Sequence, residues 1–137
     1  MNQELAEISD SMFVKQFENQ TLDPKHFDHL GHIRLARLYL LEYDLEAAIS
    51  RISQGIQDYA KSLGADNKFH LTITDAIMRV IATRIASEET GKWEDFLKHN
   101  SDIVDDALSV LCQYFSKDKL LSEKARISLI LPDKKEF

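Results

Sequence analysis

Proline occurs only twice in this 137-residue chain, as Pro24 and Pro132, and glycine only four times. A fold of many short strands turns on glycine and proline at close intervals, and such punctuation is missing here. The apolar residues recur instead at i, i+3, i+4 and i+7, the period of a helix that buries one face. The expectation is an all-α fold. It is a single-domain bundle of about five to six helices over residues 1–137, with a short extended C-terminal segment and frayed tails at 1–9 and 133–137. A chain of this length buries roughly two thirds of the surface its unfolded form exposes, so it needs no staple.

The order of elements follows from the same pattern. Asp10 or Ser11 caps a short helix through Gln20, with Met12, Phe13 and Phe17 on one side. Pro24 ends that segment. A helix is expected from about 26 to 42, with His29, His32, Ile33, Ala36, Tyr39, Leu40 and Tyr43 in one stripe and Arg34, Arg37 and Leu41 elsewhere. Asp44 caps the next, 45 to about 63, and Gly64 closes it. Within it Gly55 serves either for close helix approach or as a plain weak spot. A third long helix is expected from about 69 to 86 or 87, its inward stripe starting at His70. A short helix begins at Trp93, and His99-Asn100-Ser101 breaks it. Ser101 then caps a helix through Phe115. Residues 116–127 are a short helical piece or turn, and 127–131 an extended segment before Pro132.

Charge and composition narrow the partners. The formal net charge of −6 works against nonspecific binding to nucleic acid or to an anionic membrane. Lys134-Lys135 is the one short basic cluster, and it sits beside Asp133 and Glu136. No apolar run approaches the ~20 residues that span a bilayer. The start of the chain lacks a basic region followed by an apolar one, so a soluble, cytoplasmic protein without a signal peptide is expected. The single cysteine, Cys112, excludes an internal disulfide and reads as an inert buried thiol.

Chemistry concentrates in the histidines. His29 and His32 stand at i and i+3, so their rings converge on one point of the helix surface. His70 starts another helix on its inward side. Three imidazoles with an open fourth position suit Zn²⁺, or Fe²⁺ with a carboxylate nearby. Asp28 and Asp75 both point off the inward faces. The same residues also suit a pocket for a small, anionic ligand. There His70 lies among the free N–H groups of a helix start, Thr72, Thr74, Arg34 and Arg84 add donors, and Tyr39, Tyr43 and Tyr59 line the cavity. His26 and His99 read as exposed or capping residues. Nucleophile elbows, phosphate loops and dinucleotide fingerprints are all missing from the sequence.

Phe27-Asp28-His29-Leu30-Gly31-His32-Ile33-Arg34-Leu35-Ala36, followed by Tyr39-Leu40, resembles the F/W-x-H-x-x-H-x-R-x-A-x-x-Y-L pattern of a group of small bacterial proteins of unassigned function. Lys68-Phe69-His70-Leu71-Thr72-Ile73-Thr74 is similar to that group's K-Y-H-E-T-x-T element. With the Trp93 region and Leu129-Ile130-Leu131-Pro132-Asp133, the resemblance spans about residues 12 to 133. It implies that His29, His32, His70, Thr72 and Thr74 belong to one site. Leu71 stands where the group has glutamate, which removes a carboxylate from that site and weakens the case for metal-assisted catalysis. The sequence therefore points to a histidine-lined inter-helix site for a metal ion (Zn or Fe) or a small-molecule ligand, catalysis being left open. The alternative is a non-catalytic helical interaction module or homodimer, with Leu38 and Leu41 on an exposed helix face and the histidines as core residues.

Overall fold

The computed structural model describes residues 8–88 and 91–137. Among them the protein is all-α: nine helices, two short 3₁₀ turns and no strand. None of these helices is long and apolar enough to cross a membrane. The chain gathers into two compact units, Met1–Phe69 and His70–Phe137.

The first unit holds α1 (Asp10–Glu18), α2 (His29–Glu42) and α3 (Leu45–Ser62), with 3₁₀ turns at Pro24–His26 and Asp66–Lys68. Each helix starts at a short polar side chain that accepts from a first-turn N–H: Ser9 from Met12, Asp28 from Gly31 and Asp44 from Ala47. Such caps contribute about 1 kcal/mol each. The Asp28 cap places the start of α2 three residues later than the sequence suggested, and leaves His26 in the turn before it.

Two glycines let these helices and turns approach. A Cβ on Gly31 would lie 2.1 Å from the His26 carbonyl oxygen, and one on Gly55 would lie 2.7 Å from a Phe17 ring carbon. Close approach is thus the role of Gly55. Phe17 is fully buried and packs on Phe27, Tyr39 and Tyr59 at ring-centroid distances of 5.3, 6.4 and 5.7 Å. This ring cluster is the centre of the unit's core, joined by Phe13, Leu22, Ile33, Leu35 and Ile52.

The second unit has one long helix, α4 (Leu71–Ala86), followed by five short ones: α5 (Trp93–His99), α6 (Ser101–Asp105), α7 (Ala107–Leu111), α8 (Lys117–Leu120) and α9 (Glu123–Ile127). Met78, Val80 and Ile81 of α4 are buried, as are Phe96, Ile103, Leu111, Phe115 and Leu120. The single helix expected over 101–115 is divided at Asp106, whose side chain accepts from the Ser109 N–H and hydroxyl at 3.2 and 2.7 Å. Aspartate offers the backbone a cap in place of a continued ladder, and here the cap prevails. Asn100, the expected break, is buried. Its amide donates to the Phe96 carbonyl at 2.8 Å and its oxygen accepts from Arg84 at 2.8 Å.

The C-terminal residues 133–137 are held rather than frayed. Asp133 accepts from the Ser116 N–H at 2.7 Å, the Lys134 N–H donates to the Tyr114 carbonyl at 2.9 Å, and Phe137 stacks on Tyr114 at 4.8 Å. Cys112 is free and half-buried. At the other end, residues 1–7 of the expected N-terminal tail lie outside the described residues.

Candidate functional site

In the first unit, the turn before α2, the start of α2 and the far end of α3 enclose an open pocket of about 180 Å³. Phe27, His32, Ile56, Tyr59, Leu63 and Phe69 form its mostly apolar wall, and among the described residues Lys68 is the charged side chain of the lining. The ring of His32 meets Phe27 edge-on at 4.0 Å, and Phe27 meets Tyr59 edge-on at 5.0 Å. The Tyr59 hydroxyl is turned out of this arrangement and donates to the Leu22 carbonyl at 2.7 Å. Gly31 sets the geometry, because the His26 carbonyl sits where a side chain would otherwise stand and so brings Phe27 down beside His32.

Burial pushes the His32 imidazole down to about 4, helped by neighbouring His29 and opposed by Asp28. Its ring is therefore neutral at neutral pH, able to accept or donate one hydrogen bond but not to act as a cation. An engineered apolar cavity of about 150 Å³ takes a benzene molecule, so this pocket has room for one ring or a short hydrocarbon chain.

The other residues singled out in the sequence have different situations. His29 shares α2 with His32 but is exposed, which corrects its expected inward placement. Helical phase gives a direction, and the first turn of α2 projects past what covers the rest of the stripe. Conversely Arg37, placed off the stripe, is buried.

His70 is the N-cap of α4 rather than a residue inside it. Its Nδ1 accepts from the Ile73 N–H at 3.1 Å, while Nε2 lies 3.0 Å from the Leu120 carbonyl. A donor on one side and an acceptor on the other fix the neutral tautomer with hydrogen on Nε2. Both nitrogens are thus engaged within the second unit, leaving no lone pair for a metal. Burial lowers the pKa of His70, partly offset by the Leu120 carbonyl.

Thr72 is buried and joins two strands of chain: its hydroxyl donates to the Ser128 carbonyl at 2.9 Å and accepts from the Ile130 N–H at 3.2 Å. Thr74 is half-buried. Arg34 is committed to α1 through Asp10 at 2.7 Å, the Ile8 carbonyl at 2.9 Å and the face of Phe13 at 4.4 Å. Arg84 makes a two-pronged pair with Asp102, both contacts at 2.9 Å, and also reaches Asn100. Tyr39 donates to Glu18 at 2.5 Å, and the Tyr43 ring carries Arg51 at 4.4 Å.

Among the described residues no group of three or more His, Cys, Asp or Glu is arranged to hold a metal ion. Of the histidines singled out in the sequence, His32 lines the pocket, His29 is exposed and His70 caps α4.

A larger cleft of about 470 Å³ lies along α1 and α2, where Asp10, Lys15, Glu18 and Glu42 supply charge. Its Asp10 and Glu18 already serve Arg34 and Tyr39, so the smaller apolar pocket offers the cleaner recognition surface. Sequence reasoning missed Phe27, Ile56, Leu63, Lys68 and Phe69 as lining. Phe27 and Lys68-Phe69 flank the two histidine motifs and were the available signal.

No protein-family model, no curated protein and no solved structure matches this chain.

Proposed function

We propose that the first unit binds a small, mainly apolar ligand, one ring or a chain of similar bulk, in the pocket at His32. The observation that carries this reading is the pairing of a ring-sized apolar cavity with a single neutral imidazole in its wall. Apolar walls with a few converging polar groups are the usual make-up of small-molecule sites. His32 supplies one directional hydrogen bond, and Lys68 supplies attraction for a carboxylate at the exposed side. The ligand class that fits both is a small aromatic or aliphatic acid.

Titrating the ¹⁵N-labelled full chain with benzoate, and in parallel with benzyl alcohol, tests this. Benzoate is expected to shift the amides of Phe27, His32, Ile56 and Tyr59, and to bind more tightly than the alcohol. Lys68→Ala is expected to remove that preference while keeping alcohol binding. Ala60→Phe, which fills the pocket from α3, is expected to abolish both. No shift at these residues from either probe, or equal shifts in the filled variant, would sink the proposal.

A further inference from the structure

The helices α1 and α2 run the same way side by side. Asp10 at the start of α1 holds Arg34 at 2.7 Å, and Glu18 at its end accepts from Tyr39 at 2.5 Å. The cleft of about 470 Å³ lies along them, a volume within the range of small-molecule sites. Val14 and Leu38, both half-buried, and the buried Tyr39 give it apolar surface. Glu18 is the last residue of α1 and Glu42 the last residue of α2. Two parallel helices thus each end on a glutamate that lines the same cleft.

That placement runs against local chemistry. A helix C-terminus carries about half a negative charge on its unpaired carbonyls, so a carboxylate there is disfavoured and a cation is favoured. The last turn of α2 has no basic residue. Glu42 is exposed, and among the described residues its carboxylate has no hydrogen bond or ion pair. Glu18 uses one oxygen on Tyr39 and leaves the other open. Burial and the Glu18 carboxylate hold the Tyr39 hydroxyl well above its usual pKa, so it remains a donor and fixes that carboxylate in place. Beside them the rings of Tyr39 and Tyr43 lie 5.8 Å apart. The Tyr43 ring already carries one cation, the Arg51 guanidinium at 4.4 Å from its centroid. A local rule broken without an internal compensation is a mark of functional sites. The compensation this cleft lacks is a positive charge.

We propose that the Glu18–Glu42 end of the cleft binds a primary ammonium ion carried on an apolar body, such as an arylalkylamine, as a second ligand distinct from the one proposed at His32. An ammonium has three donors and no acceptor, so one such group serves both carboxylates at once. The faces of aromatic rings attract the same charge. The apolar body lies along Val14 and Leu38. Asp10, at the other end of α1, is committed to Arg34 and leaves the far part of the cleft without a free carboxylate. Lys15, the cation of the lining, is exposed on α1 and opposes the ligand's charge.

Phenethylammonium, titrated into the ¹⁵N-labelled full chain beside its neutral isostere 2-phenylethanol, tests this. The ammonium is expected to shift the amides of Val14, Glu18, Leu38, Glu42 and Tyr43, and the alcohol to bind about tenfold or more weakly. Lys15→Ala is expected to tighten the ammonium about twofold by removing a repulsion. Glu42→Gln is expected to weaken it roughly tenfold. In the same variant the thermal midpoint of the ligand-free chain is expected to hold or rise, because the repulsion at the end of α2 is gone. Glu42→Lys supplies an ammonium from within, and is expected to raise that midpoint further and abolish binding. Loss of binding with a lowered midpoint would assign Glu42 to the fold and overturn the proposal. So would equal affinity for the alcohol, unchanged affinity in Glu42→Gln, no shift in the cleft, or shifts confined to Phe27, His32, Ile56 and Tyr59 of the other pocket.

Discussion

The two units are built by different means. The first has three long helices whose closeness depends on glycine and aromatic rings: His26 over Gly31, Phe17 over Gly55, and Phe17 among Phe27, Tyr39 and Tyr59. The second has one long helix and five short ones, and it relies more heavily on polar side chains bonded to distant backbone, a device the first uses at Tyr59 with the Leu22 carbonyl and at Arg34 with the Ile8 carbonyl. His70 reaches the Leu120 carbonyl, Thr72 the Ser128 carbonyl, and Lys134 the Cys112 carbonyl. Steric fit leaves a shaped apolar hollow where rings do not quite meet. Stitching consumes the polar groups that make it. This contrast places the candidate pocket in the first unit, and explains why the histidine and threonine of the second serve the fold.

The contrast can be broken, most forcefully at Gly31. Gly31→Ala sets a Cβ against a backbone oxygen that cannot rotate away, and a loss of about 3 kcal/mol or more is expected in denaturant unfolding. A midpoint within error of the parent chain would show that ring-and-glycine fit is not what holds the first unit. Acid comes next. The folded His32 titrates near 4 against 6.5 for the free side chain. The unfolded chain therefore takes up more protons between these values, and stability is complete above pH 6.5 and falls as the pH drops towards 4. The upper bound is about 3 kcal/mol. His70, also lowered, acts with the same sign. His32→Phe should flatten most of that acid limb, and an unchanged limb would point away from His32.

Thr72→Val tests the stitching. It is isosteric and removes two bonds, and an expected cost of about 1 to 2 kcal/mol should accompany faster amide exchange at Ile130. Exchange at Ile130 that stays slow would mean the second unit does not depend on this thread. Smallest is Gly55→Ala. Its gain of about 1 kcal/mol in helix propensity opposes the push on the Phe17 ring, and a net loss below about 2 kcal/mol is expected. A net gain would mean that the ring cluster gives way easily.

The fold class and most helix starts were legible because they depend on local chemistry. Asp44 and Gly64 bound α3 as expected. The scarcity of proline let the long helices be placed within a few residues. What escaped was set by competition or by distance. Asp106 could continue a helix or cap a new one, and the pattern of Ile103, Val104, Ala107 and Leu108 cannot say which. His29 and Arg37 follow the phase of α2, but phase does not say which turns are covered. His70 was singled out for its position at a helix start, which was sound. Its use there, as the cap itself, depends on a carbonyl 50 residues away that no local pattern reveals. The pocket was legible only through the neighbours of His32, since apolar lining carries no signature of its own.

The His70 contact also has a meaning in time. One of its ring nitrogens caps α4 locally, three residues on, as soon as that turn exists. The other waits for Leu120, and Thr72 waits for Ser128 and Ile130, 56 and 58 residues later. At roughly 5 to 20 residues per second of synthesis, the first turn of α4 spends several seconds with only part of its bonding in place. The first unit can be complete during that interval, so the moment when the chain gains its last internal bonds belongs to the second.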